Sequence, residues 1–124
     1  MTPLQQQFEL LKAERPQARL IPVAGGIHMV IMPDFPLPSG WSKSSVEVKF
    51  VAPAGYPFAP PDCFWTESDL RLANGNPPQA SQPNPCPDGS SSLWFSWHLQ
   101  HWNPNTDNLV TYLRVIERRF AEVR

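Results

Sequence analysis

No stretch of this 124-residue chain is as long as the roughly 18 consecutive apolar residues a membrane-spanning helix requires. Its opening, Met1-Thr2-Pro3-Leu4-Gln5, has neither a basic n-region nor an apolar h-region, so no secretory signal is expected. Cysteine is scarce, and Cys63 and Cys86 are too few for a disulfide framework. Charge of one sign is lacking as well: ten Lys and Arg against eleven Asp and Glu leave a formal net charge of −1. That balance argues against a nucleic-acid binder working by counterion release. Internal repeats are also missing. A cytoplasmic chain with no membrane or nucleic-acid partner is the expectation. With 41% apolar residues it can bury a core, and its length suits one domain over 1–124.

Proline is the residue in excess, at 16 of 124 positions, or more than twice the usual share of about 5%. Its ring and missing N–H break helix interiors, which excludes a helical bundle. The prolines crowd into 33–38, 53–61 and 77–87, and none follows Pro104. Short regular elements joined by stiff connections are implied.

Thr2-Pro3 places a hydroxyl at an N-cap and proline at the first helical position, and Leu4, Phe8 and Leu11 follow at helical spacing. A helix over 3–14 is predicted, ended by Pro16. Segments 19–23 and 27–32 are β-rich and flank Ala24-Gly25-Gly26, which reads as a hairpin with Pro22 on an edge. In 44–51, Val46, Val48 and Phe50 alternate with Glu47 and Lys49, the pattern of a half-buried strand. Cys63-Phe64-Trp65 makes a short fourth strand. From Glu67 to Ser92 nothing is periodic, so this is read as a long loop, of the kind that usually carries function. Leu109, Leu113, Ile116, Phe120 and Val123 form a helical stripe, capped by Asn105, Thr106 or Asp107. Arg114, Arg118 and Arg119 are assigned to its solvated face. The expectation is an α+β domain: N-terminal helix, four-stranded antiparallel meander, long loop, C-terminal helix.

Several residues could carry chemistry. Cys86, between Pro85 and Pro87, reads as an exposed thiol, whereas Cys63 reads as a small packing residue. His98 and His101 could join Cys86 and Asp88 around zinc, but paired ligands on both sides are missing, and no metal or cofactor is expected. His28 is read as structural. Trp94, Phe95, Trp97 and Trp102 suit a covered core better than a base-stacking platform.

Tyr56-Pro57-Phe58-Ala59-Pro60-Pro61, directly after the third strand, resembles the Tyr-Pro-x-x-Pro-Pro signature of the ubiquitin-conjugating (E2) fold. Gln82-Pro83-Asn84 is similar to that family's His-Pro-Asn tripeptide, with Gln for His, and Trp102-Asn103-Pro104 resembles its Trp-x-Pro before the second helix. Eight residues beyond Asn84 stands Ser92, at the offset of the family's catalytic cysteine, followed by the matching Leu93 and preceded by Gly89. The shortened form resembles the divergent bacterial E2-like proteins that accompany ubiquitin-like proteins, E1-like adenylating enzymes and JAB-type peptidases.

The resemblance implies a carrier of the modifier's C-terminus, with Ser92 as nucleophile, an oxyester as product and Asn84 ordering the loop or stabilising the oxyanion. A hydroxyl needs a base nearby, and His98, His101 and Asp88 are the candidates. Cys86, six residues short of the offset, is the alternative nucleophile. A non-catalytic module that binds a ubiquitin-like protein is the other reading. The N-terminal helix, with Gln5, Gln6, Gln7 and Lys12 taken as exposed, is where the resemblance places the E1-like partner.

Overall fold

The computed structural model describes residues 2–124. Thr2 caps the first helix reciprocally: its hydroxyl accepts from the Gln5 amide at 3.2 Å, and the Gln5 side chain accepts from the Thr2 amide at 3.0 Å. Helix α1 (Pro3–Glu14) turns Phe8 and Leu11 inward and ends before Pro16. Gln7, expected to be exposed, is half-buried, because its side chain bonds to the Tyr56 hydroxyl. Strand β1 (Arg19–Pro22) then turns through Ala24–Gly26, where Gly25 and Gly26 take positive φ, into β2 (His28–Pro36).

Strand β2 runs four residues beyond the predicted end. Pro33 has no N–H for the ladder and Asp34 adopts φ 54°, so the pairing bulges and resumes at Phe35 opposite Val46. Strands β3 (Ser45–Ala52) and β4 (Phe64–Glu67) follow.

The meander does not stop at four strands. The segment read as a long loop contains β5 (Ser81–Pro83) and leads into β6 (Ser92–Phe95), giving a six-stranded antiparallel sheet in the order β1-β2-β3-β4-β6-β5. These strands have three and four residues, too few to establish an alternating pattern. Proline sits in β5 because that strand is the sheet edge.

The core lies between one sheet face and the two helices. Val48, Phe50, Phe64, Leu93 and Phe95 meet Leu109, Tyr112, Leu113, Ile116 and Phe120 of α2 (Leu109–Ala121). Phe64 and Phe95 stack at 4.8 Å, and Phe120 meets both edge-on at 5.6 and 5.9 Å. Helix α2 begins later than predicted, with Asn108 as its N-cap. Asn103–Asp107 is committed to a turn instead, in which Asp107 accepts from the Asn103 amide at 2.8 Å. The helix stops at Ala121, which leaves Val123 exposed.

Arg119 also departs from its expected solvated position: only 1% of it is exposed. Its guanidinium lies 5.2 Å from the Trp97 ring, 5.3 Å from Phe95 and 5.7 Å from Trp41. It donates at 2.8 Å to each of the backbone oxygens of Gln79, Glu122 and Arg124. The stem widens the apolar stripe of α2 while the planar head ties the helix end to the segment before β5. Truncating it leaves carbonyls unpaired and a cavity among three aromatic rings. Arg119→Ala is expected to lower unfolding free energy by about 3 kcal/mol in urea titration.

Candidate functional site

The sheet face away from the helices carries a second, smaller apolar cluster of Met29, Ile31, Trp65 and Cys86. Over it folds the segment between β5 and β6, which is a continued hairpin. Asn84 N–H donates to Ser92 C=O at 3.0 Å, and Cys86 N–H to Ser90 C=O at 3.0 Å. Gly89, at φ 86°, closes the tip by donating to Cys86 C=O at 2.8 Å. Asn84 and Ser92 are therefore direct cross-strand partners, eight residues apart in sequence and joined through the backbone.

The hairpin tip is tied to the sheet by charge. Lys49, from the outward face of β3, reaches Asp88 Oδ2 at 2.7 Å and Ser90 Oγ at 3.2 Å. Asp88 Oδ1 accepts from the Ser90 hydroxyl at 2.6 Å and from the Ser90 amide at 2.9 Å. Ser90 Oγ in turn lies 3.3 Å from Ser92 Oγ. The result is a polar path Ser92–Ser90–Asp88–Lys49. Burial opposes ionisation of Asp88, but Lys49 and the two Ser90 bonds outweigh it and hold the carboxyl well below the usual range. Burial likewise opposes the charge on Lys49, and the bond and charge of Asp88 more than restore it, so its pKa is raised.

Ser92 itself is 6% exposed and lines two small cavities. One, of about 110 Å³, is walled by Glu47, Lys49, Thr66, Glu67, Ser90 and Ser91. The other, of about 210 Å³, is walled by Ser68, Pro83, Asn84, Pro85 and Ser91.

The structure brings together Ser92, Asn84 and Asp88 but not the two histidines. Ser92 Oγ finds its partners on Ser90, whereas His98 bonds Ser96 and Asp62. Strand β6 carries the chain about 10 Å away from Ser92 before the histidine segment begins. His101 is exposed and lines, with His98, a cavity of about 450 Å³ against α2. The expectation of a histidine base on Ser92 is corrected by this separation.

Cys86 is corrected too. It is 3% exposed, with its thiol 3.9 Å from the Met29 sulfur, because the turn points it down onto the apolar cluster. Burial pushes its pKa up to about 11, so the thiolate needed for attack is suppressed. Cys63 packs half-buried against the same cluster, and burial raises its thiol as well. Among the described residues no three His, Cys, Asp or Glu side chains gather as a metal site. No helix among them is long and apolar enough to cross a membrane.

The motif residues meet on the other side of the domain. Trp102 Nε1 donates to the Pro57 carbonyl at 2.8 Å, and its ring lies 6.1 Å from that of Tyr56. Tyr56 bonds Gln7 of α1, Pro61 is buried, Pro60 is half-buried, and Pro104 enters the turn before α2. These residues join α1, the post-β3 segment and the approach to α2. Sequence reasoning missed Lys49, Ser90, Ser96 and Asp62. Lys49 was recognisable only as a polar position of an alternating strand.

The tie has consequences for pH and for the thiol. Asp88 titrates lower folded than its ordinary 3.8, so its contribution to stability is complete above about pH 4 and fades as pH falls toward the folded value. The raised pKa of Lys49 acts at the other end, contributing fully below its ordinary 10.5 and less as pH rises past it. Urea unfolding between pH 5 and pH 2.5 is expected to show a smaller loss of stability for Asp88→Asn than for the wild type. Cys86 in the native chain is expected to alkylate on the order of 100-fold more slowly than an unperturbed thiol at neutral pH. Site-resolved mass spectrometry after iodoacetamide would read this.

No curated protein and no solved structure matches the chain significantly. A family model does: residues 13–123 match prokaryotic E2 family E, and the chain belongs to that family of E2-like proteins.

Proposed function

We propose that this chain is the acyl-carrying component of a bacterial conjugation pathway for a ubiquitin-like protein, with Ser92 as the carrier hydroxyl. The family supports a conjugation-related role. The observation that carries the finer reading is the polar path at the family's nucleophile offset, with Asn84 paired to Ser92 through the backbone and Lys49–Asp88 behind Ser90.

In this reading Ser92 Oγ attacks the modifier's C-terminal carbonyl, presented by an E1-like enzyme as an adenylate or thioester. The hydroxyl proton moves through Ser90 toward Asp88 and solvent, the new C–O bond forms, and AMP or the E1 thiol leaves. An amine later takes the acyl group and frees the hydroxyl. Asp88, held strongly acidic, is a weak base, so it orients the path more than it drives proton removal. Asn84 and Lys49 supply a dipole and a charge beside the site for the developing oxyanion. An oxyester is less prone to aminolysis than a thioester, and slow transfer is the corollary. No cofactor beyond the partner's ATP enters. The cytoplasm is the proposed setting, and a JAB-type peptidase is the proposed opposing activity.

The 6% exposure of Ser92 favours a second reading, a non-catalytic module that binds the ubiquitin-like protein through the same face. Charging with the E1-like enzyme, ATP and ubiquitin-like protein, followed by intact mass, separates the two. The carrier reading predicts an adduct that survives thiol reductant, is cleaved by mild alkali and disappears in Ser92→Ala. Binding without any adduct establishes the module. A reductant-labile adduct contradicts the hydroxyl chemistry and returns the question to Cys86.

A further inference from the structure

A separate constellation stands at the other end of β6. Asp62 precedes β4 and Ser96 follows β6, and these strands pair with Phe64 opposite Phe95. Continuing that antiparallel register brings Asp62 beside the segment that follows β6. There the chain turns sharply, with Trp97 N–H donating to Phe95 C=O at 3.0 Å, while Ser96 N–H is held by Ala80 C=O at 2.9 Å. The turn presents His98 between two oxygens. Its Nε2 lies 3.2 Å from Ser96 Oγ, and its Nδ1 lies 2.6 Å from Asp62 Oδ1.

We infer that Ser96, His98 and Asp62 form a base-activated hydroxyl, a second acyl-accepting site that is distinct from Ser92 and independent of the role proposed for it. The three roles such chemistry requires are each filled by geometry. A hydroxyl is within hydrogen-bond reach of an imidazole nitrogen, and the opposite nitrogen is held by a carboxylate that fixes its tautomer. The side chains of His98 and Asp62 are 55% and 68% exposed, so both are open to solvent and to a small substrate. His98 also borders the cavity of about 450 Å³, whose walls include Trp97, Leu99 and Val115 with Arg118 among the polar groups. That volume falls within the range of small-ligand sites, roughly 300–1,000 Å³.

The substrates implied are activated acyl compounds: a thioester, an acyl phosphate or an acyl adenylate. Ser96 Oγ forms the bond to the acyl carbon, its proton passes to His98 Nε2, and the thiolate or phosphate leaves with the bonding pair. A departing thiolate takes the proton from His98, whereas with phosphate or, from an adenylate, AMP as the leaving group His98 releases it to solvent. Water or an amine then attacks the ester with His98 again accepting the proton, which it returns to Ser96 Oγ as the ester C–O bond breaks, regenerating both groups. Asp62 is a positioning residue, acting through the imidazole.

The test needs no partner protein. The full chain is incubated with a fluorophosphonate, which forms an Oγ–P bond and releases fluoride if the hydroxyl is activated, and the modified residue is located by mass spectrometry. Modification at Ser96 is expected, absent in Ser96→Ala and slowed at least 100-fold in His98→Gln. Asp62→Asn is expected to slow it by a smaller factor. In parallel, Ser96→Cys is expected to alkylate at least tenfold faster than the Ser96→Cys/His98→Gln double variant. Failure to modify Ser96, or a rate that His98→Gln leaves unchanged, overturns the inference. So does equal alkylation of the two cysteine variants. None of these outcomes bears on charging at Ser92.

Discussion

The contact between Lys49 and Asp88 at 2.7 Å organises the outer face of this domain. Without it the 84–91 hairpin would be joined to the sheet through its own two strands, the Lys49–Ser90 bond and the packing of Cys86 on Met29. With it, Asp88 collects Lys49, the Ser90 hydroxyl and the Ser90 amide. Two effects follow from the same geometry. Cys86 packs on Met29, where burial raises its thiol pKa, and Ser90 lies beside Ser92. The pair is only partly exposed, with 14% of the Lys49 side chain and 30% of Asp88 accessible, so it is less screened than an ordinary surface ion pair.

Strand β6 separates two chemically different ends. At its start the environment of Ser92 is carboxylate, ammonium and hydroxyl, with small cavities and little access. At its finish Ser96 has the imidazole of His98, which borders an open cleft. Between them Leu93 and Phe95 are locked into the core against α2, so the two ends are held at a fixed spacing. The helix side of the sheet depends on a different device, the buried Arg119. Its bond to Gln79 fastens the end of α2 to the segment before β5, and its bonds to Glu122 and Arg124 hold the tail that follows the helix. Both ends rest on β6, which is held by Phe64 on one side and by the helix on the other.

What could be read from the residues follows from how local each signal is. The cap at Thr2, the alternation of 45–52 and the stripe from Leu109 to Phe120 are periodic or stereochemical signals, and each marks an element seen in the structure. The motif at 56–61 and Trp102 mark the fold because their contacts, Trp102 to Pro57 and Tyr56 to Gln7, join distant segments. Strands β5 and β6 escaped because they are too short to show a period, and their pairing is set by partners elsewhere in the chain. Arg119 escaped because a charged residue beside an apolar stripe looks solvated until the backbone oxygens that receive it are known. At the site, the spacing from Asn84 to Ser92 was legible, but the partners of each hydroxyl were not. Lys49 and Asp62 lie 43 and 30 residues before Ser92, and only the sheet register places them.

The most direct test of this account is a double-mutant cycle on the clamp, read by amide hydrogen exchange at Cys86 and Ser90 in the wild type, Lys49→Met, Asp88→Asn and the double variant. If Lys49 and Asp88 act as one tie, each single variant speeds exchange across the hairpin and the double variant exchanges no faster than either. Additive effects, or unchanged protection in Lys49→Met, would contradict the claim that this ion pair holds the hairpin and thereby poses Ser92.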